Sequence, residues 1–267
     1  MHPIIQKKCF IFDLDGTVYL GDQPIAGTIS FIRTWWNKKD FYFLTNNTSK
    51  NLDAYLHKLN ALGIPASIDQ ILSPLLPLVD YMQAHAISRV YPVGNQAFTG
   101  YIKKHMPTCT VTDDSSLCQA VLLAYDTELT YEKLRTSCLL LQHKHIAFLA
   151  THPDKTCPSP QGPLPDTGSF LALYEADTGR KPDVVFGKPN TIMLARLLNI
   201  YDRESMVMIG DRLYTDMVLA KNAGIDSILV LSGESTQEDV DGCPDKPTWV
   251  LPDLGEIEED RTEGKNQ

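Results

Sequence analysis

Cys9-Phe10-Ile11-Phe12-Asp13-Leu14-Asp15-Gly16-Thr17 is the stretch on which the reading of this chain turns: four apolar residues run straight into two carboxylates and a glycine. An unbroken apolar run suits a strand buried on both faces, the mark of a parallel sheet. Residues two apart in extended chain project to the same side. Asp13 and Asp15 can therefore face one ligand together, one touching a substrate and the other its leaving group. An EF-hand calcium loop is excluded, because its spacing needs an acid at Thr17 and glycine at Val18.

The same grammar recurs along the chain. Phe41 to Leu44 ends in Thr45-Asn46-Asn47, and Met206 to Ile209 ends in Gly210-Asp211. Between such runs lie segments with helical spacing. In Asn51 to Leu62 the apolar positions are Leu52, Tyr55, Leu56, Leu59 and Leu62, and Gly63 stands where a helix stop belongs. Runs at Val90–Val93, Ala120–Ala124, Ile146–Ala150, Val184–Phe186 and Ile228–Leu231 alternate with helices expected at Gln96–Met106, Tyr131–Leu141, Ser169–Ala176, Thr191–Leu198 and Thr215–Ala223. The alternation predicts an α/β protein with a Rossmann-like, doubly wound parallel sheet, in which ligands bind beyond the carboxyl ends of the strands.

Polar residues gather at those ends. Thr45, Asn46 and Asn47 offer a hydroxyl, two amides and backbone N–H groups, donors of the kind that hold a phosphate. Lys188, within Gly187-Lys188-Pro189-Asn190, would bring a positive charge to a phosphoryl oxygen. Asp211 stands at a strand end, and Asp216 follows five residues later, with Thr215 placed to cap a helix. Hard carboxylate oxygens from Asp13 and Asp211 suit Mg²⁺, which binds one or two carboxylates together with substrate phosphate.

Composition narrows the classes. In 267 residues, 43% are hydrophobic and 21% charged, a globular profile that excludes disorder and collagen-like repeats. The formal net charge of −9 argues against a nucleic-acid partner. No run of about 18–20 apolar residues could span a membrane, and Met1 to Lys8 is too short and polar for a secretory signal. Six cysteines with no C-x-x-C pair disfavour zinc and a disulfide scaffold, and suit reduced thiols in a cytoplasmic enzyme. The charged segment from Glu256 to Gln267 reads as a frayed end.

Taken together and in order, the acid pair, the hydroxyl-amide donor, the lysine and the second acid pair resemble the four motifs of the haloacid dehalogenase superfamily of aspartyl phosphohydrolases. The likeness spans about Lys7 to Leu254. It is strongest to the branch of p-nitrophenylphosphatase-like, nucleotide and phosphoglycolate-type phosphatases. Its marks here are Thr45-Asn46-Asn47, the block from Thr178-Gly179-Arg180-Lys181-Pro182 to Gly187-Lys188-Pro189, and Ala223-Gly224-Ile225 leading to Leu231-Ser232-Gly233. The resemblance implies hydrolysis of phosphomonoesters with Asp13 as nucleophile and Asp15 as acid and base. It also implies one Mg²⁺ held by Asp13, Asp211 and the Asp15 carbonyl, with Asp216 either bracing those ligands from behind or reaching the ion through water.

The separation of 143 residues from Thr45 to Lys188 exceeds what a bare core needs. In that branch the gap houses an inserted α/β cap. The implied division is a discontinuous core of residues 1–85 and 184–260, a cap of 86–183 and a tail of 261–267. The Pro-rich stretch from Thr151 through Pro165 resembles the cap loop that faces substrate, with His152 and Asp154 best placed for contact because they directly follow an apolar run. The expected ligand is a small phosphorylated metabolite, with no nucleic acid or membrane, and the sequence is compatible with a homo-oligomer. A receiver-like phospho-acceptor module shares the residue types, but it spans about 100–150 residues and could not hold Lys188 so far from Thr45. Asp15 disfavours a dehalogenase, which has no use for an acid there. A phosphomutase on the same fold is separated from a hydrolase only by assay.

Overall fold

In the computed structural model, which describes residues 2–159 and 161–257, the Cys9–Asp13 strand lies inside a six-stranded sheet. The order across the sheet is Trp249–Leu251, Asp226–Val230, Met206–Gly210, Cys9–Asp13, Asp40–Leu44 and Ile71–Leu72. Every pairing in it is parallel. From Cys9–Asp13 the chain first adds Asp40–Leu44 on one side and only later Met206–Gly210 on the other. The strand order therefore reverses at Asp13, the kind of point where α/β sheets bind ligands.

Period-2 alternation explains why this run is apolar throughout. Phe10 and Phe12 project to one face, where Phe10 meets Phe31 at 5.4 Å and Phe12 meets Phe41 at 5.9 Å between ring centroids. Cys9 and Ile11 project to the other, among Met193, Leu197, Met208 and Leu219. Both faces are core, so no position in the strand can be polar until it ends at Asp13.

This sheet belongs to one of two compact units, formed by the chain through Thr45, by Tyr55–Leu72 and by the chain from Lys188 onward. The other comprises Asn46–Ala54 and Ser73–Gly187. Its own parallel sheet runs in the order Val184–Val185, Ala147–Ala150, Ala120–Leu123, Arg89–Val93, Thr110–Val111. Val121, Leu123, Phe148 and Tyr174 lie at the centre of its core. Helices Leu75–Ala84, Gln96–His105, Tyr131–Leu141 and Thr167–Thr178 belong to it, and Thr156–Cys157 pairs antiparallel with Leu164–Pro165 in a short hairpin.

The doubly wound sheet is present as expected, and the differences are local. Val184–Val185, expected in the core, pairs with Ala147–Ala150 in the second sheet, and Leu75–Ala84, also expected in the core, lies in the second unit. The segment expected as a helix from Thr215 begins instead as a π turn over Leu213–Met217 and becomes α-helical only at Val218–Ala223. Thr215 is therefore no helix cap: it sits inside the turn, and its buried hydroxyl has no partner among the described residues. No cysteine is in a disulfide among the described residues, and no described helix is long and apolar enough to cross a membrane. The tail, 261–267, lies outside the described residues.

Candidate active site

At the carboxyl edge of the first sheet, four ionisable side chains are gathered and buried. Lys188 Nζ donates to Asp13 Oδ1 and, at 2.7 Å, to Asp216 Oδ1. One carboxylate oxygen each from Asp13, Asp211 and Asp216 lies within 4.8 Å of the others. These residues come from three separate stretches of chain, ending at Asp13, starting at Lys188 and running from Asp211 to Asp216, so the fold makes them neighbours. The π turn delivers Asp216: its backbone N–H and that of Met217 both donate to the Arg212 carbonyl, at 3.1 and 3.3 Å. The extra residue per turn sends the Asp216 side chain back to accept from the Arg212 N–H at 3.2 Å. π bulges of this sort recur at functional sites.

Asp211 is held in a slot lined by glycine. A methyl group at Gly16 would lie 2.2 Å from Asp211 Oδ2, and one at Gly233 would lie 2.0 Å from the same atom. Gly16 also has φ +90°, so no other residue suits that turn. Asp211 Oδ2 accepts from the Glu234 N–H at 2.7 Å, whereas Oδ1 is buried with no hydrogen-bond partner among the described residues.

Electrostatics follow from the count of three acids against one base. Burial raises the pKa of Asp211, and Asp13 and Asp216 push it further. Burial likewise raises Asp216, against the opposing pull of Lys188. For Lys188 burial disfavours the charge, but Asp13 and Asp216 together outweigh it and hold the ammonium protonated. With all four ionised, the cluster carries a net charge of minus two, which Arg212, itself paired with Glu234, offsets only in part. Hard oxygen donors, an orphaned buried carboxylate oxygen and excess negative charge fit a small divalent cation.

Thr45 is buried one residue beyond Leu44, which pairs with Asp13, and its N–H donates to the Leu72 carbonyl at 3.0 Å. Asp15 is exposed, two residues beyond the buried Asp13, and accepts weakly from the Gly21 N–H at 3.3 Å. Its solvent access suits a group that exchanges protons.

The remaining predicted residues belong to the second unit. Asn46 Nδ2 donates to Asp154 Oδ1 at 3.0 Å, both side chains buried. His152 is fully enclosed, with Nε2 3.1 Å from Thr167 Oγ1 and 3.5 Å from Asp166 Oδ1. Any effect of His152 on a substrate must therefore pass through the groups it touches. Asn47 Oδ1 accepts from the N–H and hydroxyl of Ser49, at 2.9 and 2.8 Å, so that amide braces its own turn.

Several contributors escape sequence reasoning. Glu234 and Ser235 donate backbone N–H groups to the Asp211 carboxylate and carbonyl, and Ser232 Oγ donates to the Gly16 carbonyl at 2.7 Å. Leu231-Ser232-Gly233 is visible as a motif, but backbone donors leave no residue-type signature. Asp166 and Thr167 are readable only as a helix start, which says nothing of His152.

This fold and this edge of charges match a known class of phosphate-ester hydrolases. A haloacid dehalogenase-like hydrolase model matches residues 10–106, and a second HAD-hydrolase-like model matches residues 185–257. The acid sugar phosphatase of Staphylococcus saprophyticus is 30% identical over 255 residues, covering 94% of this chain and 96% of the relative. The chain belongs to the haloacid dehalogenase-like hydrolases. Among solved structures, the 4-nitrophenylphosphatase of Thermotoga maritima superimposes with a TM-score of 0.87 at 39% identity, covering 96% of this chain and 98% of that one. The glycerol phosphate phosphatase of Mycobacterium tuberculosis, solved in complex with magnesium, gives 0.85 at 25% identity, over 95% and 77% of the two chains.

Proposed function

We propose that this chain hydrolyses small phosphomonoesters in two phosphoryl-transfer steps, and that the second unit is the cap that selects among them. The observation that carries the reading is the buried contact of Lys188 with both Asp13 and Asp216, beside the orphaned oxygen of Asp211. A carboxylate oxygen of Asp13 attacks phosphorus as the bond to the leaving oxygen breaks, giving an aspartyl phosphate. Asp15 protonates the departing oxygen, then takes a proton from the water that displaces Asp13 and releases inorganic phosphate. Splitting one very slow hydrolysis in this way lowers each barrier. Thr45 and Lys188 serve the oxygens of the transferring group through hydrogen bonds and positive charge.

Asp13, Asp211 and Asp216, with the Asp15 carbonyl, are the groups that would hold Mg²⁺. When bound, the ion screens the negative phosphate from the negative nucleophile. The substrates we expect are cytoplasmic phosphorylated metabolites: sugar, glycerol or glycolate phosphates, nucleoside monophosphates or pyridoxal phosphate. The names of the relatives, an acid sugar phosphatase, a 4-nitrophenylphosphatase and a glycerol phosphate phosphatase, support that range. Core groups grip only the phosphoryl moiety, which all these esters share, so selection falls to residues that reach the leaving group. Phosphate release from a panel of phosphomonoesters, with and without Mg²⁺, tests the reading. Metal-dependent turnover of several small esters is expected, and no release from any of them overturns it.

A further inference from the structure

Beside the Ala147–Ala150 strand, the second unit contains a buried polar knot whose members lie next in sequence to two residues of the proposed phosphate site. Asn46 directly follows Thr45, and Gly187 directly precedes Lys188. Both are locked into the same knot. A methyl group at Gly187 would lie 2.6 Å from Asn46 Oδ1, 2.6 Å from His152 Cβ and 2.8 Å from the Thr151 carbonyl oxygen. Only a glycine lets these three groups close around the chain. Asn46 is pinned from its other end, through Nδ2, by Asp154.

The knot is anchored to rigid elements on every side. Thr151 donates its N–H to Leu123 at 2.8 Å and Phe186 donates to Ala150 at 3.0 Å, extending the sheet to the residue before Gly187. The Asp154 carbonyl accepts from the Gly168 N–H at 2.7 Å, joining the strand end to the first turn of the Thr167–Thr178 helix. His152 spans the same gap through Thr167, and Asp166 caps the helix by accepting from the Thr167 N–H at 2.5 Å. Burying a histidine, two carboxylates and an amide together costs desolvation, so such a network specifies one geometry or fails. Here the geometry it specifies is that of residues 46 and 187.

We infer that His152, Asp154 and Gly187 are positioning residues for phosphoryl binding, acting through Asn46 and the chain at Lys188 rather than by touching the leaving group. This rests on the proposed phosphomonoesterase reading and makes a distinct demand of it. A residue that reads the leaving group changes the ranking of substrates when altered. A residue that sets Thr45 and Lys188 weakens every phosphomonoester alike, because the phosphoryl group is what they share. A displacement of about 1 Å can cost such a site roughly 100-fold in activity.

The test compares Asp154→Ala, Asp154→Asn and Gly187→Ala with wild type on p-nitrophenyl phosphate and several sugar and nucleoside monophosphates. Inhibition by inorganic phosphate and Tm are measured alongside. Asp154→Ala and Gly187→Ala should lower kcat/KM by about 10–100-fold for every ester, with unchanged ranking and weaker inhibition by phosphate. Asp154→Asn keeps an oxygen to accept from Asn46 and should recover most of the loss. If Asp154→Ala does not fold, Asp154→Asn and Gly187→Ala carry the comparison. Altered ranking would overturn the inference by making the knot a specificity element. A lowered Tm with intact kinetics and phosphate affinity would overturn it by making the knot merely structural. Wild type inactive on every ester would instead overturn the phosphomonoesterase reading.

Discussion

Both parallel sheets end in buried polar side chains, but they treat charge in opposite ways. Beyond Asp13, three carboxylates lie together, Lys188 bonds two of them, and Asp211 Oδ1 has no hydrogen bond among the described residues. Beyond Ala150, Asp154 and Asp166 are each met by neutral donors, an amide at Asn46 and a backbone N–H at Thr167. Excess charge in a desolvated place is unfavourable by itself and becomes favourable when a cation arrives. Carboxylates already met by donors need no cation to hold their shape, and the buried atom without a hydrogen bond there, among the described residues, is a ring nitrogen, His152 Nδ1, rather than a carboxylate oxygen. The first edge is built to receive something, and the second is built to keep still.

The sharpest break of this contrast is at Asp13. Asp13→Asn keeps the volume and removes the nucleophile, so turnover should fall by roughly 10⁴-fold or more while Tm changes little. Circular dichroism melting beside a phosphate-release assay reads both, and retained activity would assign the nucleophile elsewhere. The next effect concerns the excess charge. EDTA should stop hydrolysis and Mg²⁺ restore it. Mg²⁺ should also raise the Tm of wild type but not that of Asp211→Asn, since binding to the native state alone stabilises it. An equal rise in both would remove Asp211 from the cation site.

At the quieter edge, burial raises the pKa of Asp166, although His152 and the Thr167 N–H oppose the shift. A carboxylate whose folded value exceeds its unfolded value binds more protons when folded, so it stabilises the fold less as pH rises through that window. Asp166→Asn has no such term and can still cap the helix. Its Tm relative to wild type should therefore improve as pH climbs from about 4 towards neutrality. A flat or opposite trend would contradict the shift.

The smallest effect belongs to neither edge. Thr236 and Asp239 form a reciprocal capping box at the start of the Gln237–Gly242 helix, with the Thr236 N–H donating to Asp239 Oδ2 at 2.8 Å. Thr236→Ala should cost about 1 kcal/mol of stability and leave kcat unchanged.

What could be read in the sequence divides along the same line. Strands buried on both faces announce themselves, because both faces of Cys9–Asp13 must be apolar until the sheet ends. Charged residues at such ends are conspicuous for the same reason, which is why Asp13, Lys188, Asp211 and Asp216 could be named as one set. The sheet to which a run belongs is not local information: Val184–Val185 looks like any other apolar pair until its partner is known. Leu75–Ala84 hides its helical period because it carries a proline in its first turn and apolar residues on most sides. The π turn at Leu213–Met217 is set by tertiary packing. A methyl group on Gly210 would fall 2.4 Å from Asp216 Cβ, so the turn can close only over a glycine. His152 and Asp154 could be singled out, but His152 meets a helix start fifteen residues away and Asp154 meets Asn46, more than a hundred residues away.

The central claim is that Asp13 takes the phosphoryl group. Rapid acid quench of wild type turning over p-nitrophenyl phosphate, followed by peptide mapping and borohydride reduction, reads that directly. The account predicts one acyl phosphate on the peptide containing Cys9 to Thr17, reduced at residue 13 and absent in Asp13→Asn. A phosphoryl group on any other residue, or steady turnover with none trapped and Asp13→Asn fully active, would contradict it.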